Sequence, residues 1–548
     1  MDAETISRMA KAVYSQQDEM RSIWDWLAQK IMPRKTDVLR QVKASEFMRE
    51  HCSTAATSLG VLVSGFMNQV MPSGQMWFKF VHSGADKSQK YEHWYQNATE
   101  VTHQALASSQ FYYVMHEAHT DRALFGTCCA FCEWKKGGGL TFHHVPVGTF
   151  GFSRNAAGRV DTLARKFRYT AAQAVAEWGY EKLPEQVRRA YDREQDRFTR
   201  EFEFIHFVAP RESFTGGNAR KDTPAKELPY VSAYLYAGGK WPLIEEGGYH
   251  EFPYFVSVFL PWEGLWGYAP GMQVMDEIAS LMLSERHLDE LGALAVYPRL
   301  LVDAEQEGDI DFRAGGLTVL DRNIAGMNLP REWGTQGRYD IGAERVKRAD
   351  EKIKEAFFVP FLHAVSSVDR QMTAMEVMAR QREQVLSISA TFTLFVYDFN
   401  SFMARVFAEL WRNGKYATPR GTQPHDLVVK TGADSADLQA PEVQYHGLIA
   451  QCVEQAQKQS LDYGLQSAAQ WVQLTGDAAA LDCVDTAGAV EWIFRSAGAP
   501  AKVFRSAAEV EAIRRQRRDA AALEQQVQLA QVAAQGSQAM ANASEMKV

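Results

Sequence analysis

The run from Thr373 to Asn413 constrains this chain more than any other stretch. Val377, Val385, Ile388, Phe392, Phe395, Phe399, Phe402, Val406 and Leu410 recur mostly at three- and four-residue spacing, which lines one face of an α-helix. Thr373 and Glu376 fit the capping box S/T-x-x-E: the hydroxyl accepts an N–H of the first turn and the carboxylate reaches back. Gly414 is placed to follow the last turn. Unbroken, such a helix spans about 60 Å, whereas ordinary globular helices run roughly 8 to 20 residues. Its length demands other elements, or other subunits, along most of it. The preceding "LHAVSSVDRQM", residues 362–372, is small and polar between amphipathic neighbours and reads as a projecting loop.

Before that helix the pattern changes several times. Residues 1–70 read as helices: "IWDWLAQKIMP" carries Ile23, Trp24, Leu27 and Ile31 at helical spacing and stops at Pro33. "TAATSLGVLVSGFMNQVM" is a second helix rich in small residues, followed by the aromatic strand "QMWFKF". Residues 90–125 are helical again. From 126 to about 260 alternating runs such as "TREFEFIHFVAP" lie between glycine-rich turns, so this part is mostly β, with one helix near "TAAQAVAEWGY" capped by Thr170. A helix of roughly 20 residues opens at Pro270 with Val274, Ile278, Leu281, Met282 and Leu288 on one face. An irregular region, 293–341, separates it from another helix, and after 440 the sequence reads as helical and rich in Ala and Gln. The fold class is α+β.

Length and composition bound the function. A chain of 548 residues has room for three or four units of roughly 150 residues. Hydrophobic residues at 46% and charged residues at 23% are ordinary globular values. The net charge of −8, from 59 basic and 67 acidic residues, argues against a protein that wraps nucleic acid but not against DNA passing nearby. The N-terminal stretch has no apolar leader, and "LGVLVSGFMNQVM" is too interrupted to span a membrane, so a soluble chain made in a cytoplasm is expected.

The motifs that suggest chemistry are weak. Cys129 and Cys132 have CxxC spacing with His143 and His144 nearby, yet strand alternation sends the two thiols to opposite faces, favouring core thiols over zinc. Asp303, Glu305, Glu307, Asp309 and Asp311 form an acidic run without the glycine and glutamate of a calcium loop. It reads as a solvated loop, with a metal site as the lesser reading. "RRQRR", residues 514–518, reads as a solvated helix face, with a polyanion contact as the alternative. No phosphate loop, nucleophile elbow or HExxH occurs, so neither a cofactor nor catalysis is expected.

The order of pieces resembles the head-to-tail connector, or portal, family of short-tailed bacteriophages over most of the chain. The resemblance is carried by "MPSGQMWFKF", "RNAAGRV", "GYAPGMQVMDEI" and "RQMTAMEVMARQREQ" in that order, and by a Gln/Ala-rich C-terminus. It implies a ring of twelve copies at a capsid vertex of the virion, assembled in the host cytoplasm. Each subunit would carry a wing (1–270 and 373–440), stem helices (271–292 and 342–361), a clip (293–341), a channel loop (362–372) and a C-terminal crown (441–548) ending in a disordered tail. Ser366, Ser367, Asp369, Arg370 and Gln371 would then face double-stranded DNA, and the acidic clip residues would meet the terminase motor and the tail adaptor. Scaffolding and capsid proteins would be further partners, and no membrane is involved. A soluble α+β enzyme, or another ring-forming head–tail adaptor, remains the alternative.

Overall fold

The computed structural model describes residues 3–33, 35, 51–81, 89–135, 137–212, 228–238, 240–262, 264–296, 299–301, 331–333, 339–360, 362, 374–416, 428–430, 436–438 and 441–445, with 464, 466–467, 470, 474, 510–520 and 523. The first part of the chain forms α1 (Ala3–Ser15), α2 (Arg21–Ile31), α3 (Ser53–Val70), β1 (Phe78–Val81), α4 (Gln89–Ala107) and α5 (Phe111–Phe125). The apolar face expected of α2 is the buried one: Trp24, Leu27, Ala28 and Ile31 enter the core and Ile23 packs at its margin. At the end of α5, Gly126 has φ +85° and its N–H bonds to the Arg122 carbonyl. A Cβ there would stand 2.1 Å from the Gly267 carbonyl oxygen, so two glycines let two backbones cross in contact.

The β-rich part divides into two antiparallel sheets. β2 (Thr127–Lys135) is central in a three-stranded sheet, between β3 (Gly139–His144) and β9 (Tyr254–Val258). The other is a five-stranded meander of β4 (Phe150–Arg154), β5 (Val160–Thr170), β6 (Glu201–Pro210), β7 (Tyr230–Tyr236) and β8 (Leu243–Tyr249). Alternation along β6 feeds two small cores. Phe202 and Phe204 pack beside Trp178 and Val187, while Ile205, Phe207 and Ala209 pack beside Ile6 and Ala10 of α1. The helix expected near residue 171 is Ala171–Trp178, and Thr170 caps it in a full capping box with Gln173. Two further helices, Glu185–Asp192 and Glu194–Arg197, follow it. They escape a periodicity reading because they bury only Val187 and Ala190.

His206 joins the two sheets. Its Nδ1 lies 2.5 Å from the Tyr254 hydroxyl and its Nε2 2.9 Å from Ser232 Oγ, with the ring stacked on Tyr234 at 4.3 Å.

Beyond the sheets, Pro270–Gln273 is a separate turn that breaks at Val274, and the helix proper is Met275–Val296. The break lets Gly271 settle onto α2, where an added Cβ would lie 3.2 Å from Ile31 Cδ1. Ile278 and Leu281 of this helix are buried, and Met282 packs on the core. It packs along Tyr339–Ala356, where a Cβ on Gly342 would lie 2.6 Å from Leu288 Cδ2. The region expected to be irregular holds a short ladder, Arg299–Leu301 with Arg331–Trp333.

The reading of everything after 440 as helical is corrected by Glu442–Tyr445, a strand paired antiparallel with β1. Its partner lies far off in sequence, so no local pattern reveals it. The main core runs from α2, α3 and α5 through the three-stranded sheet to Phe395–Leu410 and Tyr445. Among the described residues no helix is long and apolar enough to cross a membrane.

Candidate functional site

Ser366, Ser367, Asp369, Arg370, Gln371 and Thr373 lie outside the described residues, as do Asp303, Glu305, Glu307, Asp309, Asp311 and the side chain of Glu376. What the structure gives is the two anchors from which the candidate loop is hung: Leu362 on one side and the helix Ala374–Arg412 on the other.

The entry anchor is a sharp exit from a helix. Ile353 and Phe357 are buried completely, and Phe358 then takes φ +57°, a left-handed conformation uncommon for a non-glycine residue. The turn is held by Phe358 N–H to the Glu355 carbonyl and Leu362 N–H to the Phe358 carbonyl, each 3.0 Å. Leu362 then fills the groove that Gly65 leaves in α3: a Cβ on Gly65 would fall 2.6 Å from Leu362 Cδ2. One turn before Lys354, Asp350 accepts from Thr54 Oγ1 at 2.8 Å and pairs with Lys354 at 2.7 Å. Burial pushes this carboxyl upward, but the bonds from Lys354 and Thr54 hold it below its usual range.

The exit anchor is the far half of the long helix. Phe395, Phe399, Phe402 and Val406 are buried at the spacing expected, and Phe255 of β9 packs against all three phenylalanines at 5.2–5.8 Å. Two buried arginines add polar fastenings. Arg122 donates from Nη2 to the Thr391 carbonyl at 2.9 Å and from Nε to the Val258 carbonyl at 3.1 Å. Its guanidinium lies 5.4–5.5 Å from the ring centres of Phe66, Phe259 and Phe395, and burial lowers its pKa to about 10. Arg405 donates from Nε and Nη2 to the Cys132 carbonyl and from Nη1 to the Glu251 carbonyl, and it pairs with Glu409 at 3.3 Å. Gly414, φ +65°, closes the helix as expected, its N–H bonding to Trp411 O at 2.9 Å.

Neither arginine follows from pattern reading, because each looks like a polar interruption. Arg405, set between Met403 and Val406 in the apolar stripe, was the available signal.

The Cys/His group is a different matter. β2 has a strand on each side and both its faces are covered, so Cys128, Cys129 and Cys132 are all buried. Burial raises the three thiols, Cys128 and Cys132 to about 12. His144 Nε2 lies 2.8 Å from buried Asp121, which also pairs with Lys35 at 3.1 Å. His143 is held down to about 4, by burial first and then by the charges of Arg165 and Lys135. Among the described residues these groups do not converge on a metal-binding position. Cys452 and Cys483 lie outside the described residues.

Residues 3–504 match the family of the bacteriophage head to tail connecting protein. The chain belongs to that family. A probable portal protein of Bordetella phage BPP-1 is 25% identical over 344 residues, 61% of this chain. The connector spans about 60% of the length of that curated relative. A solved chain from the neck of an empty GTA particle, computed with C6 symmetry, aligns at 10% identity and a TM-score of 0.34, covering 77% of this connector and 87% of that chain. The connector's candidate loop and acidic run both fall within the matched residues, whereas Arg514–Arg518 lie beyond them.

Proposed function

We propose that this connector is a portal subunit. Twelve copies close into a ring at one capsid vertex, and double-stranded DNA enters and leaves through its channel. The family match over residues 3–504 carries the reading, and the alignment with a probable portal protein supports it. The helical pair is consistent with ring closure. Leu283, Val296, Tyr339 and Ile341 stand 48–70% exposed on it, apolar surface that repeated subunit contacts would cover.

On this reading the paired helices are the stem, and residues 293–341 are the clip that meets the terminase motor and then the tail adaptor. The acidic run Asp303–Asp311 favours a basic surface on those partners. Residues 362–372 face the channel. Firm anchorage at Leu362 and along Phe395–Leu410 lets such a loop shift without unpacking the core. Arg370 is the residue for a weak phosphate contact; its competing role is a pair with Asp369 or a neighbouring loop. Each copy brings a net charge of −8, which keeps the wall from gripping DNA tightly. The family is structural, and the chain is read as non-enzymatic, working in the virion after assembly with scaffolding and capsid proteins.

Sedimentation and electron microscopy of the purified protein test the assembly: a closed ring is expected, and stable monomer at micromolar concentration would overturn it. For the loop, Arg370→Glu should shorten the packaged genome or leak DNA more than Arg370→Ala, with rings intact. Normal packaging with Arg370→Glu would remove Arg370 from the DNA path.

A further inference from the structure

Residues 510–520 are helical, and every residue from 514 to 520 is exposed. Arg514, Arg515, Arg517 and Arg518 fan over roughly 160° of that helix, which is one side of it. Elsewhere on the molecule four exposed arginines pair with a carboxylate one turn away: Arg189 with Glu185, Arg200 with Asp196, Arg286 with Glu290 and Arg348 with Glu344. Glu511 and Asp519 stand four residues to either side of Arg515, yet among the described residues none of the four guanidinium groups has an ion pair. Their recorded polar contact is Arg518 Nε to the Arg514 carbonyl at 3.4 Å. Four like charges this close weaken a helix unless a counter-charge offsets them.

Charge density selects the partner. Four charges over ~6 Å of helix axis amount to about one per 1.5 Å. Duplex DNA carries about one phosphate charge per 1.7 Å of axis with both strands counted, or about 3.4 Å along one strand. An extended acidic segment with a carboxylate at every second residue offers only about one per 6–7 Å. Guanidinium forks also match phosphate oxygens two at a time. We propose that Arg514, Arg515, Arg517 and Arg518 form a sequence-independent contact for the phosphate backbone of double-stranded DNA, separate from the loop at 362–372.

The test is fluorescence anisotropy of a labelled random-sequence duplex with the full-length protein, across a salt series. A four-phosphate contact loses about 150-fold in affinity between about 50 and 200 mM salt, at a slope near −0.9 per phosphate. Changing all four arginines to Gln should lower the slope by about 3.6 for each copy engaged with the duplex, and changing all four to Lys should retain it. An unchanged slope and affinity in the Gln variant overturns the proposal. So does poly-glutamate that competes as well as the duplex at equal charge, since an acidic protein would then be the partner. Sedimentation of the same samples separates this claim from the portal reading. A monomer that binds DNA through these arginines overturns the ring and leaves the site. A ring whose DNA binding ignores them does the reverse.

Discussion

Arg405→Met should loosen the long helix from the sheet while keeping most of the side chain's packing. Arg405 is 1% exposed, and its guanidinium supplies two bonds to the Cys132 carbonyl and one to that of Glu251, besides its pair with Glu409. Removing one member of a buried charged network costs about 3–5 kcal/mol. Summing three charge-assisted bonds at about 1.5–3 kcal/mol each would exceed that, but the bonds share acceptors and are not additive. Glu251 is also 37% exposed and recovers water when its partner leaves. The expectation is therefore about 3–4 kcal/mol, the lower part of the range. At ~1.4 kcal/mol per tenfold, hydrogen-exchange protection of amides in residues 129–133 and 399–412 should fall about 100- to 700-fold. Arg405→Lys keeps the charge and part of the bonding and should lose about half as much free energy. Protection in the Met variant within threefold of the parent would refute the reasoning, because Arg405 would then be a passenger in its own core.

Burial raises the thiols of Cys52, Cys128, Cys129 and Cys132, so an alkylating reagent at about pH 8 should label none of them in the native protein and all four in denaturant; native labelling at any one contradicts this. Burial, then the charge of Arg165, holds His206 well below its usual range. Unfolded histidine, titrating near pH 6.5, binds a proton that the folded form refuses, so the contribution to stability is full above about pH 6.5 and is lost as pH falls toward the folded value. His206→Gln should flatten the stability–pH slope below about pH 6.5 by up to ~1.4 kcal/mol per pH unit, and urea titrations with the same slope as the parent would remove His206 as the cause. Gly267→Ala puts a Cβ 2.0 Å from the Gly126 carbonyl oxygen and should cost about 2–3 kcal/mol or more, whereas Gly138→Ala meets nothing closer than 3.7 Å; equal melting temperatures would refute the crossing argument.

What was legible in the sequence follows the range of the interaction. The stripe from Phe392 to Leu410 and the close at Gly414 were readable because helical contacts repeat locally and each turn restates the last. The Thr170 cap was readable for the same reason, its partner being three residues away. The strand Glu442–Tyr445 was not, since the sequence around it gives no hint of its partner near residue 80. Arg122 and Arg405, which fasten the exit anchor, were hidden because a charged residue scores as surface until the carbonyls that receive it are known. The glycine at position 65 was legible only as a small residue; that it receives Leu362, and so fixes where the candidate loop departs, depends on a contact across roughly 300 residues.

The pairing of Phe78 with Tyr445 also sets a timetable for the growing chain. Ribosomes deliver about 5–20 residues per second, and roughly 360 residues separate the two strands. For about 20–70 s, then, Trp77 and Phe80 are made but lack Phe399, Phe407 and Tyr445, rings they rest against when folded. Until Glu442–Tyr445 is made, β1 lacks the strand it pairs with and part of its aromatic cover. Two nascent copies on neighbouring ribosomes of one messenger would offer each other the same bare aromatic surface during that interval. Chaperone occupancy of ribosome-bound chains should accordingly peak before codon 445 is read and drop after its residue emerges from the exit tunnel.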